Sequence, residues 1–372
     1  MAELDLERQE RAKDYARVMR RLALLELGIA AFFIMVLLLT PLSTGLRNML
    51  DLPQPVRVAL YFATLMLCFG VVSAPISFYG GFVLPRRFGL LRQSLRGWLL
   101  DGVKAGVLGL IIGIGVMVFV YWLLESFPDL WWLLASAFLI LLTVVMTNLA
   151  PIIIVPLFYR MVPVADVSLV ERLVRLAKKA GTRVAGVFII NLSSKATTGN
   201  AALMGLGNTR RIVIGDTVLG RYSPEEIEVI VAHELGHHIH RDIARLMAFQ
   251  AATILSGYYM VHLVLKVSVT HFGFNGTSDV AAFPLLALVL GSFALLLEPL
   301  SNAYSRYLEG CADEYALTLT DNPGGFTTVM TKLTNQNLSE AQPRRWVELL
   351  FYSHPPYFRR VARAQQYEDG AR

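Results

Sequence analysis

The chain is short of charge. Only 17% of its 372 residues are Asp, Glu, Lys or Arg, against 55% hydrophobic residues. With a mean hydropathy of +0.52, that balance excludes an ordinary soluble enzyme. Cysteine is scarce as well: Cys68 and Cys311 are the only two, which argues against a disulfide framework and leaves both as ordinary thiols. No tandem repeat or low-complexity tract stands out. No cleavable leader is apparent either, because residues 1–21 are long and charged and the first apolar run is too long for a signal sequence. That run reads as a retained anchor.

What the chain has is long apolar stretches. Six, at roughly 22–41, 58–80, 105–124, 130–156, 246–265 and 281–303, are long enough to cross a bilayer. Trp98, Trp122, Trp131 and Trp132 fall near segment ends, where interfacial aromatics belong. Net charge is +6. The positive residues cluster beside the apolar stretches, which favours a lipid bilayer as partner and not nucleic acid. Arg8, Arg11, Lys13, Arg17, Arg20 and Arg21 precede the first crossing, and Arg86, Arg87, Arg92 and Arg96 follow the second. The opposite side carries Arg47, Arg57 and Lys266 with Glu125 and Asp129. Positive loops stay inside, so the N-terminus is expected in the cytoplasm, of a bacterial inner membrane or of a eukaryotic endoplasmic reticulum.

The fold expected is mainly α: a polytopic membrane protein of about six to seven crossings with a small cytosolic α/β insert. The divisions are 1–160 (four crossings), 161–245 (insert), 246–304 (two crossings) and 305–372 (C-terminal segment). Within the insert, Ser168-x-x-Glu171 predicts a capping box for a helix stopped at Gly181. Val184–Ile190 reads as a strand. Asn200–Leu206 and Arg211–Ile214 read as a hairpin around Gly207-Asn208.

The insert ends on the most informative motif. Ser223-Pro224-Glu225-Glu226 starts a helix, with Ser223 as cap, proline at the first position and Glu226 closing the box. Ile227, Val229, Ile230 and Val231 predict that it is buried. It then reads His233-Glu234-Leu235-Gly236-His237. Positions i and i+4 share a helix face, so His233 and His237 can aim two imidazoles at one ion, and Glu234 lies beside that face. A buried helix with several histidines needs partners for them, and a metal is one. Gly236 allows close backbone approach. His238 and His240 lie on other faces and read as structural. His262 reads as a packed polar contact within a crossing, and His271 falls in an external loop.

A catalytic zinc usually has a third protein ligand. Glu309 and Asp313 share a helix face after the sixth crossing. By spacing alone such a pair is more readily a solvated face. Asn200-Ala201 is equally open, as an exposed edge strand or a buried one. His354-Pro355-Pro356 on its own is a loop stiffened by prolines. Glu298, before Pro299, is either a cavity-lining or an interfacial carboxylate.

Taken together, these motifs resemble the type I CAAX prenyl endopeptidases and, more distantly, the HtpX-type membrane proteases. The resemblance runs over roughly 60–365, from Phe82–Leu90 through Gly199-Asn200-Ala201, the strand at Arg211, the His233 motif, Ser305-Arg306-x-x-Glu309-x-x-Ala312-Asp313 and Asn337-Leu-Ser339 to Ser353-His354-Pro355-Pro356. It implies one zinc ion per chain, with His233, His237 and Glu309 as ligands and Glu234 as the catalytic glutamate. It further implies Asp313 as a supporting carboxylate, Asn200 and Ala201 as the segment that holds substrate main chain, and His354 and Arg360 as groups that steady the oxyanion. Arg359 stands where the family usually has glutamate. The implied activity is zinc-dependent hydrolysis of peptide or protein substrates that are membrane-associated or lipid-modified. A transporter using the histidine-rich helix, or an inactive membrane scaffold or chaperone, is the alternative. The transporter would need broken helices repeated in two halves, and no such repeat is present.

Overall fold

A computed structural model describes residues 3–205, 210–269 and 271–370. Its helices are α1 (Leu6–Leu39), α2 (Leu42–Met49), α3 (Gln54–Phe78), α4 (Leu84–Arg87), α5 (Leu95–Ser126), α6 (Trp131–Leu149), α7 (Val155–Phe158), α8 (Val167–Lys179), α9 (Pro224–Ile239), α10 (Asp242–Ser268), α11 (Phe283–Thr320), α12 (Pro323–Gln336), α13 (Arg345–Phe351) and α14 (Tyr357–Gly370). The strands are β1 (Met161–Pro163), β2 (Gly186–Ile190), β3 (Ala201–Met204) and β4 (Arg211–Gly215).

Six helical stretches of the described residues are long and apolar enough to cross a membrane: Leu6–Leu39, Gln54–Arg87, Leu95–Ser126, Trp131–Phe158, Asp242–Ser268 and Val280–Thr320. Each is longer than its apolar run. The surplus carries charge beyond the bilayer, most of all in α1 and α11. Two of them contain a π-turn: Tyr79–Val83, which joins α3 to α4, and Ala150–Ile154, which joins α6 to α7. Pro75, Pro85, Pro151 and Pro156 lie in or beside these turns. Each proline lacks an N–H and crowds the preceding turn, so the helical ladder re-registers there.

Two large apolar cores result, and a small one joins Ala12 of α1 to Leu90 and Leu338. One, within the helices, gathers Tyr61, Tyr121, Trp131, Val261 and Leu265. Trp131 is fully buried and its Nε1 donates to His262 Nδ1 at 3.1 Å. It is therefore not the interfacial residue its position suggested; an indole with a buried acceptor has no need of the headgroup layer. The same bond bears out His262 as a packed polar contact. The other core belongs to the insert and joins α8, β2, β4, α9, the end of α11 and α12.

The sheet has the order β1-β2-β4-β3, with β2 and β4 parallel and both outer pairs antiparallel. β3 is thus an edge, and it packs against α9. The expected strand at Asn200–Leu206 is shorter and starts at Ala201, although Asn200 O still accepts from Gly215 N at 2.9 Å. The Gly207-Asn208 turn lies outside the described residues. β2 begins at Gly186, two residues later than expected. The cap of α8 also differs: Asp166, not Ser168, accepts from Leu169 N, at 3.1 Å, so Ser168 already lies inside the first turn. Gly181, just past the end, has φ +70°, a conformation glycine adopts freely.

α9 starts as expected. Ser223 accepts from Glu226 N, and Glu226 accepts in return from Ser223 N at 2.7 Å. Its apolar residues are buried nearly all round, as befits a central helix. Against it lies the far end of α11, presenting the buried stripe Leu308, Ala312 and Ala316. Pro299 interrupts α11 between its apolar half and this stripe. The two helices meet at Gly236, where an added Cβ would lie 3.1 Å from Ala312 Cα and 3.2 Å from Ala312 O. No flexible side chain can yield there.

Gly236→Leu is therefore expected to destabilise the protein by about 1–3 kcal/mol through overpacking. Gly291→Ala, where a Cβ meets nothing within 4 Å, should be neutral. Thermal unfolding of both variants in detergent checks this.

Candidate metal centre

The contact between α9 and α11 puts His233, His237 and Glu309 side by side. One donor atom from each lies within 4.8 Å of the other two. His233 Nε2 is 3.1 Å from His237 Nε2 and 3.3 Å from Glu309 Oε2, and His237 Nε2 is 3.5 Å from Glu309 Oε1. Donors about 2.0–2.1 Å from one tetrahedral centre lie roughly 3.3–3.4 Å apart. The trio has the spacing of a zinc site.

The far side of each imidazole explains why the near side converges. His233 Nδ1 is 3.0 Å from Asp313 Oδ1, and His237 Nδ1 is 2.9 Å from Asp242 Oδ2. A carboxylate fixes the proton on Nδ1, which leaves the lone pair on Nε2. Both Nε2 lone pairs then face each other and a carboxylate. Glu309 Oε2 is buried with no hydrogen-bond partner among the described residues, and an orphaned acceptor of this kind demands an explanation. A cation satisfies all three groups at once.

Electrostatics agree. Burial by itself would lower the pKa of His233, but the carboxylates of Asp313 and Glu309 beside its ring outweigh it and push the pKa up to about 9. His237 is raised likewise, by Glu309 and Asp242 acting against burial. Three carboxylates around two imidazoles make a place that favours positive charge. Glu234, half-buried beside them, has its carboxyl raised above the ordinary range by burial, with His233 and His237 pulling the other way. That shift suits a proton acceptor working near neutral pH.

The remaining candidates come from the C-terminal segment. His354, in the turn between α13 and α14, is exposed, with Nε2 3.1 Å from Glu309 Oε1. Arg360 forks onto Asp313, its Nε 2.9 Å from Oδ2, and its Nη2 is 3.4 Å from His233 Nδ1. Both therefore reach the centre, but differently: His354 stands at its open side, whereas Arg360 backs the His233–Asp313 pair. The neighbouring Arg359 points away to Glu348, at 3.2 Å. Asn200 is exposed and Ala201 buried, at the start of edge strand β3. Asn337 steadies that start, its Oδ1 accepting from Gly199 N at 2.8 Å and its Nδ2 donating to Gly199 O at 3.2 Å. His240 packs edge-on against Tyr315, away from the trio. Glu298 is exposed on α11 and takes no part.

Asp242 is the residue that sequence reasoning missed. Helix counting cannot find it, because α9 ends at Ile239. Arg241 then takes a left-handed conformation, φ 57°, which turns the chain back and starts α10 at Asp242. A non-glycine residue rarely adopts that angle. A carboxylate five residues beyond the second histidine was the available signal.

Comparison with known proteins supports the same conclusion. Residues 1–160 match a domain described as CAAX prenyl protease N-terminal, five membrane helices, and residues 164–368 match peptidase family M48. Among the described residues, the first stretch holds four helices long and apolar enough to cross a membrane, plus the short α2. The uncharacterized metalloprotease YhfN of Bacillus subtilis is 28% identical over 96% of this chain and 85% of its own length. CAAX prenyl protease 1 of Saccharomyces cerevisiae is 28% identical over 78% of this chain and 68% of its own. The homologue in rice is 26% identical over 81% and 72%. The crystal structure of Ste24p from S. mikatae superposes with a TM-score of 0.88 at 21% identity, covering 97% of this chain and 90% of that one, and so shares its fold. The chain belongs to peptidase family M48 and is a multi-pass membrane metalloendopeptidase.

Proposed function

We propose that the protein hydrolyses peptide bonds of membrane-associated substrates, CAAX-type proteins among them, at a single zinc ion held by His233, His237 and Glu309. The observation that carries this reading is the convergence of two imidazole Nε2 atoms and a buried, unpartnered carboxylate oxygen at tetrahedral spacing. Zinc in such a site supplies a Lewis acid that polarises a carbonyl and lowers the pKa of water from 15.7 to about 7.

The protein's own groups do the rest. Glu234 accepts a proton from the attacking water and returns it to the leaving amine nitrogen. His354 Nε2, at the open side, donates a hydrogen bond to the oxyanion as charge develops. Arg360 holds Asp313 ionised and in place, and through it holds His233; any free donor of its guanidinium adds to oxyanion support. The edge of β3 at Asn200 and Ala201 receives substrate main chain as an added strand; Asn200 is bonded to β4, and the N–H and C=O of Ala201, which face away from β4, give affinity that does not depend on side-chain sequence. Asn337, by fixing Gly199, keeps that edge in register with α9.

The centre is assigned to the cytoplasmic side. Arg8 and Gln9 of α1 bond to the backbone at Asn335 and Ser339. The loop after α4 pairs with the insert, Arg92 N donating to Lys195 O at 2.8 Å. Both basic segments thus lie on the face that carries the catalytic insert, and positive segments stay inside. The pairs Arg47–Asp279 and Lys266–Asp129 belong to the other face. The working divisions are a four-crossing N-terminal part to residue 160, the insert to 245, two crossings to 304 and the C-terminal segment.

Three outcomes test the reading. Glu234→Gln is expected to abolish cleavage of a quenched membrane-anchored peptide while keeping one zinc per chain by elemental analysis. Cleavage at the wild-type rate by this variant, or by chelated enzyme, would refute the mechanism. Asp242→Ala is expected to weaken zinc binding by about 10–100-fold, as loss of a carboxylate behind a ligand histidine does. Competition with a zinc-binding dye measures this without turnover. Ala201→Pro removes one backbone donor at the open edge, since Asn200 faces β4, and should raise KM for peptide with zinc content unchanged.

A further inference from the structure

A second concave feature lies away from the metal centre, where α1 leaves the polar region and enters its apolar run. A cleft of about 540 Å³ opens between α1 and the segment around α13. Lys13, Arg17, Arg20 and Arg21 line one wall, and Arg344 lines the other. On α1 these are positions i, i+4, i+7 and i+8, one face of the helix. One turn earlier, Gln9 and Ala12 are buried, and Ala341 N, in the chain following α12, donates to Gln9 Oε1 at 2.9 Å. α1 is therefore held in one orientation, and its basic stripe is aimed by that docking.

Charge in the cleft is unbalanced. Glu340 is the single acid lining it, and it pairs with Arg20 at 3.1 Å. Arg17 pairs with Asp14 on the exposed surface of its own helix. Lys13, Arg21 and Arg344 form no ion pair with a carboxylate among the described residues. Gathering five cations around a concavity raises the local potential, which an anionic ligand relieves. The floor is of another character. Leu24, the next residue of the same stripe, lines the cleft together with Trp346 and Phe351, and Leu24 and Trp346 are 56% and 55% exposed. A polar, cationic mouth that continues into exposed apolar and aromatic surface at the end of a crossing matches a ligand with a phosphate head and hydrocarbon tails.

We infer that this cleft binds the headgroup of an anionic phospholipid, with Arg17, Arg21 and Arg344 contacting its phosphate and Leu24 and Trp346 its acyl region. Each cation attracts the phosphate chiefly through its charge, a contribution that Arg and Lys share. Basic clusters at the end of a membrane helix are attracted to anionic leaflets. The placement at the mouth of the apolar run distinguishes a lipid from free phosphate, which would gain nothing from the apolar floor. The site stands whether or not the catalytic reading above is correct, since binding requires no turnover.

The test titrates the full-length protein, in uncharged detergent, with short-chain phosphatidylglycerol, short-chain phosphatidylcholine and inorganic phosphate, reading binding by thermophoresis. The variant Arg17→Ala/Arg21→Ala/Arg344→Ala leaves the Arg20–Glu340 pair intact. Phosphatidylglycerol is expected to bind at least about tenfold tighter than phosphatidylcholine. The triple variant should lose about a hundredfold in that affinity, at roughly fivefold per cation removed. The all-lysine counterpart Arg17→Lys/Arg21→Lys/Arg344→Lys keeps the charge and should retain most of the preference, which carries the test if the alanine variant does not fold. Equal binding of the two lipids, unchanged affinity in the folded alanine variant, loss of preference in the lysine variant, or displacement of phosphatidylglycerol by an equal concentration of phosphate would each overturn the proposal.

Discussion

The contact of Gly236 with Ala312 sets how close α9 and α11 can come, and the rest of the centre follows from that distance. Two of the candidate ligands belong to one helix and the third to the other. Neither helix can hold a tetrahedral ion alone. With hydrogen at position 236, the backbones approach until an added methyl would lie 3.1 Å from Ala312 Cα, and at that separation Glu309 meets His233 and His237 within 3.5 Å. Any wider spacing would leave two histidines and a carboxylate that share a surface but no ion.

The same contact organises the surrounding charge. Asp313, one turn beyond Glu309, meets the back of His233, and Arg360 and Arg363 close over Asp313 from α14. Burying a carboxylate is costly unless it is paired, and here the buried Asp313 and Asp242 each pair with one of the two imidazoles. His237 receives the equivalent support from the turn into α10. Each imidazole is thus held from behind by a carboxylate on a different element, so its ring is fixed independently of the ion.

The membrane helices and the catalytic segments are joined, not merely adjacent. α11 runs from its apolar half through Pro299 into the ligand-bearing half, and α10 starts at the carboxylate behind His237. α1 docks its polar end onto the chain after α12. The positions of the edge strand β3 and of α9 are therefore set by the long apolar helices.

Much of this was legible in the residues. Long, nearly uncharged runs suit lipid, which tolerates few charges, and the six expected stretches fall in the six described helices long and apolar enough to cross a membrane. Ser223 and Glu226 specify the start of α9, and the i, i+4 rule puts His233 and His237 on one face with no further information. Local patterns misled where competing caps lay close together, as at Asp166 and Ser168, and where a Trp near a segment end found a buried acceptor in His262. Spacing alone could not choose between a ligand pair and a solvated face at Glu309 and Asp313, since both are helical positions i and i+4. Only the packing of α11 on α9 separates the two. Asp242 depends on a left-handed turn at Arg241, which no periodicity signals, and the distinct stations of His354 and Arg360 depend on how α14 returns across the site. Helical period and hydrophobicity are properties of neighbouring residues, and so belong to the sequence. The meeting of residues 233, 237, 242, 309, 313, 354 and 360 at one point is a property of distances between elements, and only the folded chain sets those.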